Sequence, residues 1–146
     1  MASIWTMDIP TIVFSRIVSD FSEDLKTKYK MQKLTVNGVT TWRNFSTSQV
    51  SETPPIFPYG TIVELPGQEQ GQDLEGNSIN GGLFTFQVDF FSNKSESEVK
   101  NCMAETVRIM KSMKFQVIAM PSFNSKPQEY RMTSRFSRVI GAGDIL

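Results

Sequence analysis

Chemically reactive side chains are scarce in this chain of 146 residues, which contains one cysteine and no histidine. The missing histidine removes the usual general base, the usual zinc or iron ligand, and every Ser-His or Cys-His nucleophile pair. Cys102 falls on the apolar stripe of a predicted helix, with no cationic cluster nearby to activate its thiol. We therefore interpret Cys102 as a small buried hydrophobic residue, and we expect no catalytic residue, no metal site and no cofactor.

Three further patterns indicate chemistry only faintly. A hydrolase that uses a pair of carboxylates is an alternative interpretation, but no spacing of the acidic residues in the sequence identifies such a pair. Asp73, Glu75 and Asn77 resemble part of a calcium-binding loop but lack its terminal glutamate, so a polar turn is the better interpretation. Gly141-Ala-Gly143 is not a phosphate-binding loop, because no helix or Lys-Ser/Thr pair follows it.

Composition and charge favour a single globular domain over residues 1–146, made and used in a reducing aqueous compartment and not in a membrane. Hydrophobic residues make up 39% of the chain and charged residues 21%, and fifteen basic side chains balance fifteen acidic ones. The charge is segregated along the chain: residues 1–93 carry 6 basic and 10 acidic side chains (net −4), and residues 94–146 carry 9 and 5 (net +4). Residues 44–93 contain no lysine or arginine, so the phenylalanines there are core and not a platform for nucleic-acid bases.

Periodicity predicts the elements of the first half of the chain. Apolar residues at spacings of three and four predict one helix over residues 9–29, capped by Asp8 and ending in a solvated basic run of Lys26, Lys28 and Lys30. Asn37-Gly38 between β-branched stretches predicts a hairpin over residues 33–42. We expect a loop over residues 44–58 and a short strand over residues 59–65 that stops at Pro66-Gly67.

The second half is predicted to supply most of the sheet. A polar loop over residues 66–82 precedes an alternating, central strand over residues 83–91, and Ser95 and Glu98 form the capping box of a second helix. Strands follow over residues 115–120, ending at Pro121, and over residues 130–139; the last six residues are expected to be mobile unless something holds them. These elements predict an α+β fold: a mainly antiparallel or mixed sheet of four to five strands, two main helices packed on it, and a long projecting loop.

Five short pieces of sequence occur in order along the predicted elements: Leu25-Lys-Thr-Lys-Tyr29, Phe57-Pro58 before a strand, Phe86-Gln-Val-Asp-Phe-Phe-Ser-Asn93, Met113-Lys-Phe115, and Arg131-Met-Thr-Ser-Arg135-Phe136. In their order and spacing these pieces resemble the tail terminator proteins of long-tailed bacteriophages, also called tail completion or minor capsid proteins. The resemblance covers about residues 11–140. Lys114 departs from the pattern, because it stands where the family usually has glycine, so we expect the second helix to end by another route.

The resemblance implies a structural protein of the virion neck and no enzyme. Such proteins form homohexameric rings that cap the head-proximal end of the tail tube, stop its polymerisation and meet the head connector or stopper. DNA in the pore would be a passive contact. Another neck ring, such as a head-completion, stopper or connector protein, is the alternative.

Two surfaces are predicted to mediate this assembly. Arg131 and Arg135 alternate onto one face of the last strand, and with Arg138 they form a basic patch that could meet the acidic stretch 44–93 of the next copy. Ile145 and Leu146 are predicted to add apolar burial at the same contact. Polar residues of the long loop are predicted to contact the tail tube or line the ring: Gln68, Glu69, Gln70, Gln72, Asp73, Glu75 and Asn77.

Overall fold

The computed structural model describes residues 5–47, 56–70, 81–123, 126, 129–141 and 143–146. A short 3-10 helix (Trp5–Met7) precedes three α-helices: α1 (Ile9–Asp20), α2 (Glu23–Lys28) and α3 (Glu96–Ser112). The strands are β1 (Lys33–Val36), β2 (Val39–Trp42), β3 (Phe45–Ser46), β4 (Tyr59–Gln70), β5 (Gly81–Ser92), β6 (Gln116–Phe123) and β7 (Tyr130–Gly141). Among the helices described, none is long and apolar enough to cross a membrane.

The predicted α+β fold is confirmed. Five strands form a mixed sheet in the order β3-β4-β5-β7-β6, in which β3 is parallel to β4 and the other neighbours are antiparallel. β5 is the middle strand of the five, as its length predicts. The helix-side face of the sheet carries Phe84, Phe86, Val88 and Phe90 of β5, which join α1 and α3 in one core.

The N-terminal helix is broken in two, so the prediction of one helix over residues 9–29 is wrong. Phe21 adopts an extended conformation (ψ 138°), and its ring packs edge-on against Phe45, with the centroids 5.2 Å apart. Ser22 then caps α2, because its Oγ accepts a hydrogen bond from the amide of Leu25. Asp8 makes no side-chain cap, so the predicted cap is wrong, and Ile12 is 41% exposed although it belongs to the apolar residues spaced by three and four.

The basic run after α1 is only partly solvated, which corrects a second expectation. The side chain of Lys26 is 4% exposed, and its Nζ lies 4.6 Å from the centroid of the Trp42 ring and 3.4 Å from Glu23. Lys33 Nζ lies 5.1 Å from the same ring. The cation–π contact of Lys26 therefore links α2 to the β1–β2 hairpin, and that of Lys33 lies within the hairpin.

The hairpin itself is confirmed. β1 and β2 pair antiparallel, and the turn residues Asn37 and Gly38 both have positive φ (53° and 80°), as a type I′ turn requires. Residues 44–58 do not form only a loop, since β3 pairs with Gly60 and Thr61. Asn44 organises this region, because its buried amide donates to the carbonyls of Ile56 and Pro58.

The strand before the long loop continues past Pro66-Gly67, where we predicted that it stops. β4 and β5 remain paired as far as Gln70 and Gly81, with a register shift between Leu65 and Gln68 that accommodates the proline. Gly67 is required there, because a Cβ at this position would lie 2.6 Å from the carbonyl oxygen of Leu83. The predicted loop is therefore shorter at both ends, and residues 71–80 lie outside the described part of the chain.

Helix α3, which is the second helix predicted from the sequence, begins and ends with defined caps. Ser95 Oγ accepts from the amide of Glu98, as predicted, but the carboxylate of Glu98 accepts from Ser92 Oγ instead of closing a capping box. At the other end Lys114 has φ 65°, and the amides of Lys114 and Phe115 donate to the carbonyls of Lys111 and Met110. These two bonds make a Schellman motif, so the helix ends as it would with glycine although lysine occupies the left-handed position.

Replacement of Lys114 by glycine is expected to raise the free energy of unfolding by about 1 kcal/mol, because a left-handed conformation is strained for lysine and free for glycine. Urea unfolding followed by circular dichroism would measure the difference. The matched control is Lys111→Gly, one turn earlier inside the helix, which should lower stability by about 1 kcal/mol. Equal effects at the two positions would contradict the assignment of the cap.

The stripe of α3 is buried as predicted: Val99, Cys102, Met103, Thr106, Met110 and Met113. The last two strands run further than expected. β6 continues through Pro121 to Phe123. An edge strand tolerates this proline, because proline has no amide hydrogen to donate and the outer side of an edge strand has no partner strand that needs a donor. The C-terminal segment is held, since the amide of Gly141 donates to Asp144 and Arg16 donates to a backbone oxygen of Leu146.

Candidate functional site

A connected polar network lies on the outer face of the sheet, which we define as the face turned away from Phe84, Phe86, Val88 and Phe90. Asp89 is at its centre and is 1% exposed. Its carboxylate accepts from Nε and Nη2 of Arg131 (3.2 and 3.1 Å), from the hydroxyl of Thr133, and from the amide of Gln87 (3.1 Å). Gln87 in turn accepts from Arg135 Nε at 3.0 Å, so the chain of contacts runs across β5 and β7.

The strand register explains why these residues meet. Gln87 pairs with Arg135, Asp89 with Thr133 and Phe91 with Arg131. Side chains directly opposite or diagonal on one face of an antiparallel pair are within reach of each other. Arg131 also lies over the ring of Phe91, with its Cζ 5.3 Å from the centroid. Sequence reasoning placed Arg131 and Arg135 on one face correctly but missed Asp89 and Gln87 as their partners within the same subunit.

The predicted basic patch is divided by the sheet. Arg138 pairs with Phe84 in the register and therefore lies on the helix-side face, away from Arg131 and Arg135. There it donates to the carbonyl of Met113, the last residue of the α3 cap, and lies 3.8 Å from Asp144. The side chain of Arg131 is 40% exposed and that of Arg138 is 13% exposed, whereas Arg135 belongs to the exposed residues. Arg135 is thus the most accessible charge of the three.

The predicted apolar pair at the C-terminus is also divided. Leu146 is half-buried against the core of its own subunit, whereas Ile145 is 92% exposed. Of the predicted loop residues, Gln68, Glu69 and Gln70 belong to β4. Gln72, Asp73, Glu75 and Asn77 lie outside the described residues. The roles of all these residues in assembly stay predictions.

A cleft of about 360 Å³ opens where β5 ends and β7 begins. Its walls combine aromatic rings with polar groups: Phe57, Phe91, Ser92, Asn93, Lys126, Glu129, Tyr130 and Arg131. The peptide bond between Phe57, on one wall, and Pro58 is cis. Behind the cleft, buried Ser92 donates to Glu98, which ties the end of β5 to the first turn of α3.

Cys102 is fully buried, which raises the pKa of its thiol to about 12, with the nearby carboxylates of Glu98 and Glu105 adding to the effect of burial. We expect the thiol of the folded protein not to react with a chromogenic disulfide reagent at pH 8, and to react fully once the chain is unfolded. Because the thiol ionises in the unfolded chain first, stability should fall between about pH 9 and pH 12. Rapid modification of the folded protein would contradict the interpretation of Cys102 as packing.

Within the described ranges, no group of three or more Cys, Asp or Glu side chains could hold a metal ion. The carboxylates of Asp89 and Glu98 are both engaged by hydrogen-bond donors. The chemistry that this arrangement supports is therefore recognition through charge, hydrogen bonds and aromatic contacts. Comparison with known protein families gives no match for this chain, and neither does comparison with curated protein sequences.

Proposed function

We propose that this chain is the ring-forming tail terminator of a long-tailed bacteriophage. Six copies would form a ring on the head-proximal end of the tail tube, end its polymerisation, and present the opposite surface to the head connector or stopper. Occupation of the growing end is sufficient for this task, so the function requires recognition surfaces and no bond-making residue. The protein would be made in the bacterial cytoplasm and act in the neck of the virion.

One observation carries the proposal: pieces of the resemblance that are distant in sequence come together in space. Phe57, Ser92, Asn93 and Arg131 come from three different pieces, and all of them line the cleft at one end of the sheet. These residues are up to 74 apart in the numbering (57 to 131), and the pairing of β5 with β7 helps to bring them to one end of the sheet. The cleft and the network of Asp89 behind it are therefore our candidate recognition surface.

Electron microscopy of the purified protein at high concentration tests the proposal. We expect six-fold rings with a pore wide enough for duplex DNA. In a host infected by a phage that lacks this protein, tails should be longer than normal and without heads, because nothing ends the polymerisation of the tail tube. Rings that complement a head-completion defect while tail length stays normal would favour the alternative of another neck ring. A protein that remains monomeric and has no effect on tails would contradict both.

A further inference from the structure

One edge of the five-stranded sheet is apolar and uncharged. β6 is the outermost strand on that side, and residues 115–125 contain no charged side chain. Ile118 is 54% exposed and Met120 is 76% exposed. Soluble proteins usually protect an exposed edge strand with charges, because its unpaired amides and carbonyls invite another strand. An edge without that protection, with apolar side chains in solvent, indicates a protein interaction surface.

Among the described residues, the opposite edge is also unpaired over most of its length. β3 pairs only with Gly60 and Thr61 of β4, and in the described part of the chain no strand pairs with that edge of β4 beyond Thr61. Both edges are limited by a proline and an irregular register, at Pro66 in β4 and at Pro121 in β6. The pairing of β4 with β5 is regular up to Leu65, whereas the register of β6 against β7 already shifts between Val117 and Ala119. The backbone of β4 beyond Thr61 and the backbone of β6 before Pro121 are the two segments that a new strand pair would join.

The charges on the two sides of the sheet are complementary. The strands β3, β4 and β5 carry no basic side chain, and β4 carries Glu69 and the exposed Glu64. The β7–β6 side carries Lys114, Lys126 and Arg135, none of which forms an ion pair with a described residue. Arg131 and Arg138, in contrast, are within ion-pair distance of Asp89 and Asp144 of their own chain. The basic residues that flank the uncharged β6 edge of one copy would therefore lie near the acidic residues of β4 in another.

We propose that β6 of one subunit pairs with β4 of the next, so that the sheets of neighbouring subunits become continuous. The inference rests on the ring proposed above and identifies the contact that closes it. Along the order β3-β4-β5-β7-β6, β4 and β6 run in opposite directions. Subunits related by rotation about an axis along the strands keep the same strand direction, so the new pair is antiparallel. Two different edges in contact make a heterologous interface, which closes into a ring of six when the rotation between neighbours is 60° without translation.

Cysteine pairs test this contact directly. Val63 and Leu65 on β4 and Ala119 on β6 all lie on the outer face, because their registers place them with Gln87, Thr85 and Arg135. Within one subunit β5 and β7 separate β4 from β6, which makes three strand spacings, or about 14 Å. A disulfide needs Cα atoms within about 7 Å, so such a bond can form only between subunits.

The two double variants combine Ala119→Cys with Val63→Cys or with Leu65→Cys. Under mild oxidation we expect at least one of them to give a ladder of covalent species up to the hexamer on non-reducing gels. The three single variants are the controls and should remain monomeric on the same gels. Covalent dimers from Ala119→Cys alone would show that β6 meets β6 of its partner, and would overturn the proposal.

A second variant tests the edge without cysteine. Met120→Lys adds charge to the exposed edge and should abolish rings in sedimentation velocity, while the far-ultraviolet spectrum stays native. The control Val39→Lys changes a side chain that is 62% exposed on the β1–β2 hairpin, and should leave rings intact. Rings that persist in Met120→Lys and give no ladder would overturn the edge contact while leaving the ring function standing. A wild-type protein without rings would instead contradict the proposed function itself.

Discussion

Replacement of Asp89 by alanine is expected to lower the free energy of unfolding by about 3 kcal/mol. The carboxylate is 1% exposed and is the common acceptor for Arg131, Thr133 and Gln87. Its removal leaves a guanidinium and two further donors without their acceptor on a surface that little water reaches. Because Arg131 is 40% exposed, some of its charge can be rehydrated, which keeps the loss below that of a fully buried pair.

A double-mutant cycle with Arg131 would separate the pair from the rest of the network. We expect Arg131→Met to lower stability as well, because it leaves the buried carboxylate of Asp89 without its cation. The double variant should cost less than the sum of both, because the two side chains lose the same contact. Thermal and urea unfolding of the four proteins give the coupling energy. Additive losses would mean that Asp89 and Arg131 do not interact in solution.

Because of this network, charge reversal at Arg131 and charge reversal at Arg135 are not equally good tests of the predicted interface between copies. Reversal of Arg131 to glutamate would set a second carboxylate beside buried Asp89, so a lost ring could reflect an unfolded subunit and not a lost interface. Arg135 is exposed and donates a hydrogen bond to the neutral side chain of Gln87. Arg135→Glu therefore reverses a charge without placing a second carboxylate beside Asp89. The dependence of ring assembly on salt concentration in this variant would measure the contribution of Arg135 to the contact between copies.

The sequence predicted the elements whose signals are local. The alternation of Phe84, Phe86, Val88 and Phe90, the stripe around Cys102 and the Asn37-Gly38 turn each depend on neighbouring residues, and each is confirmed. The break after Phe21 was missed because its cause is distant. The Phe21 ring packs in the core against Phe45 and Phe90. A periodic pattern over residues 9–29 cannot reveal contacts with these distant residues.

The candidate site was predicted only in part for the same reason. That Arg131 and Arg135 share a face follows from the period of a strand, but their partners depend on the pairing of β5 with β7. The same pairing separates Arg138 from them and brings it to the end of α3. The continuation of β4 beyond Pro66 was missed because proline and glycine usually end a strand, whereas here a register shift absorbs them.

Replacement of Phe90 by alanine is expected to lower the free energy of unfolding by about 4 kcal/mol, within the range for a large buried aromatic side chain. Phe90 is 1% exposed, and its ring lies 6.4 Å from the rings of both Phe21 and Phe45, measured between centroids. It therefore joins the end of α1, the parallel strand β3 and the centre of the sheet. Gly60 packs against this ring, and a Cβ added to Gly60 would lie 2.6 Å from it. Because glycine has no side chain, Gly60 cannot fill the cavity that the loss of the ring would leave.

Phe91→Ala is the matched control, because Phe91 is the next residue of the same strand but lies half-buried on the outer face. There its main described contact is with the guanidinium of Arg131, and its loss should cost about 1 kcal/mol. Urea unfolding of both variants measures the difference of about 3 kcal/mol, which reflects the separation of the two faces of β5. Similar losses at the two positions would mean that the outer face is covered as well as the helix-side face when the protein is in solution. The network of Asp89 would then be part of a second core, and the recognition surface would have to be sought along the two edges of the sheet.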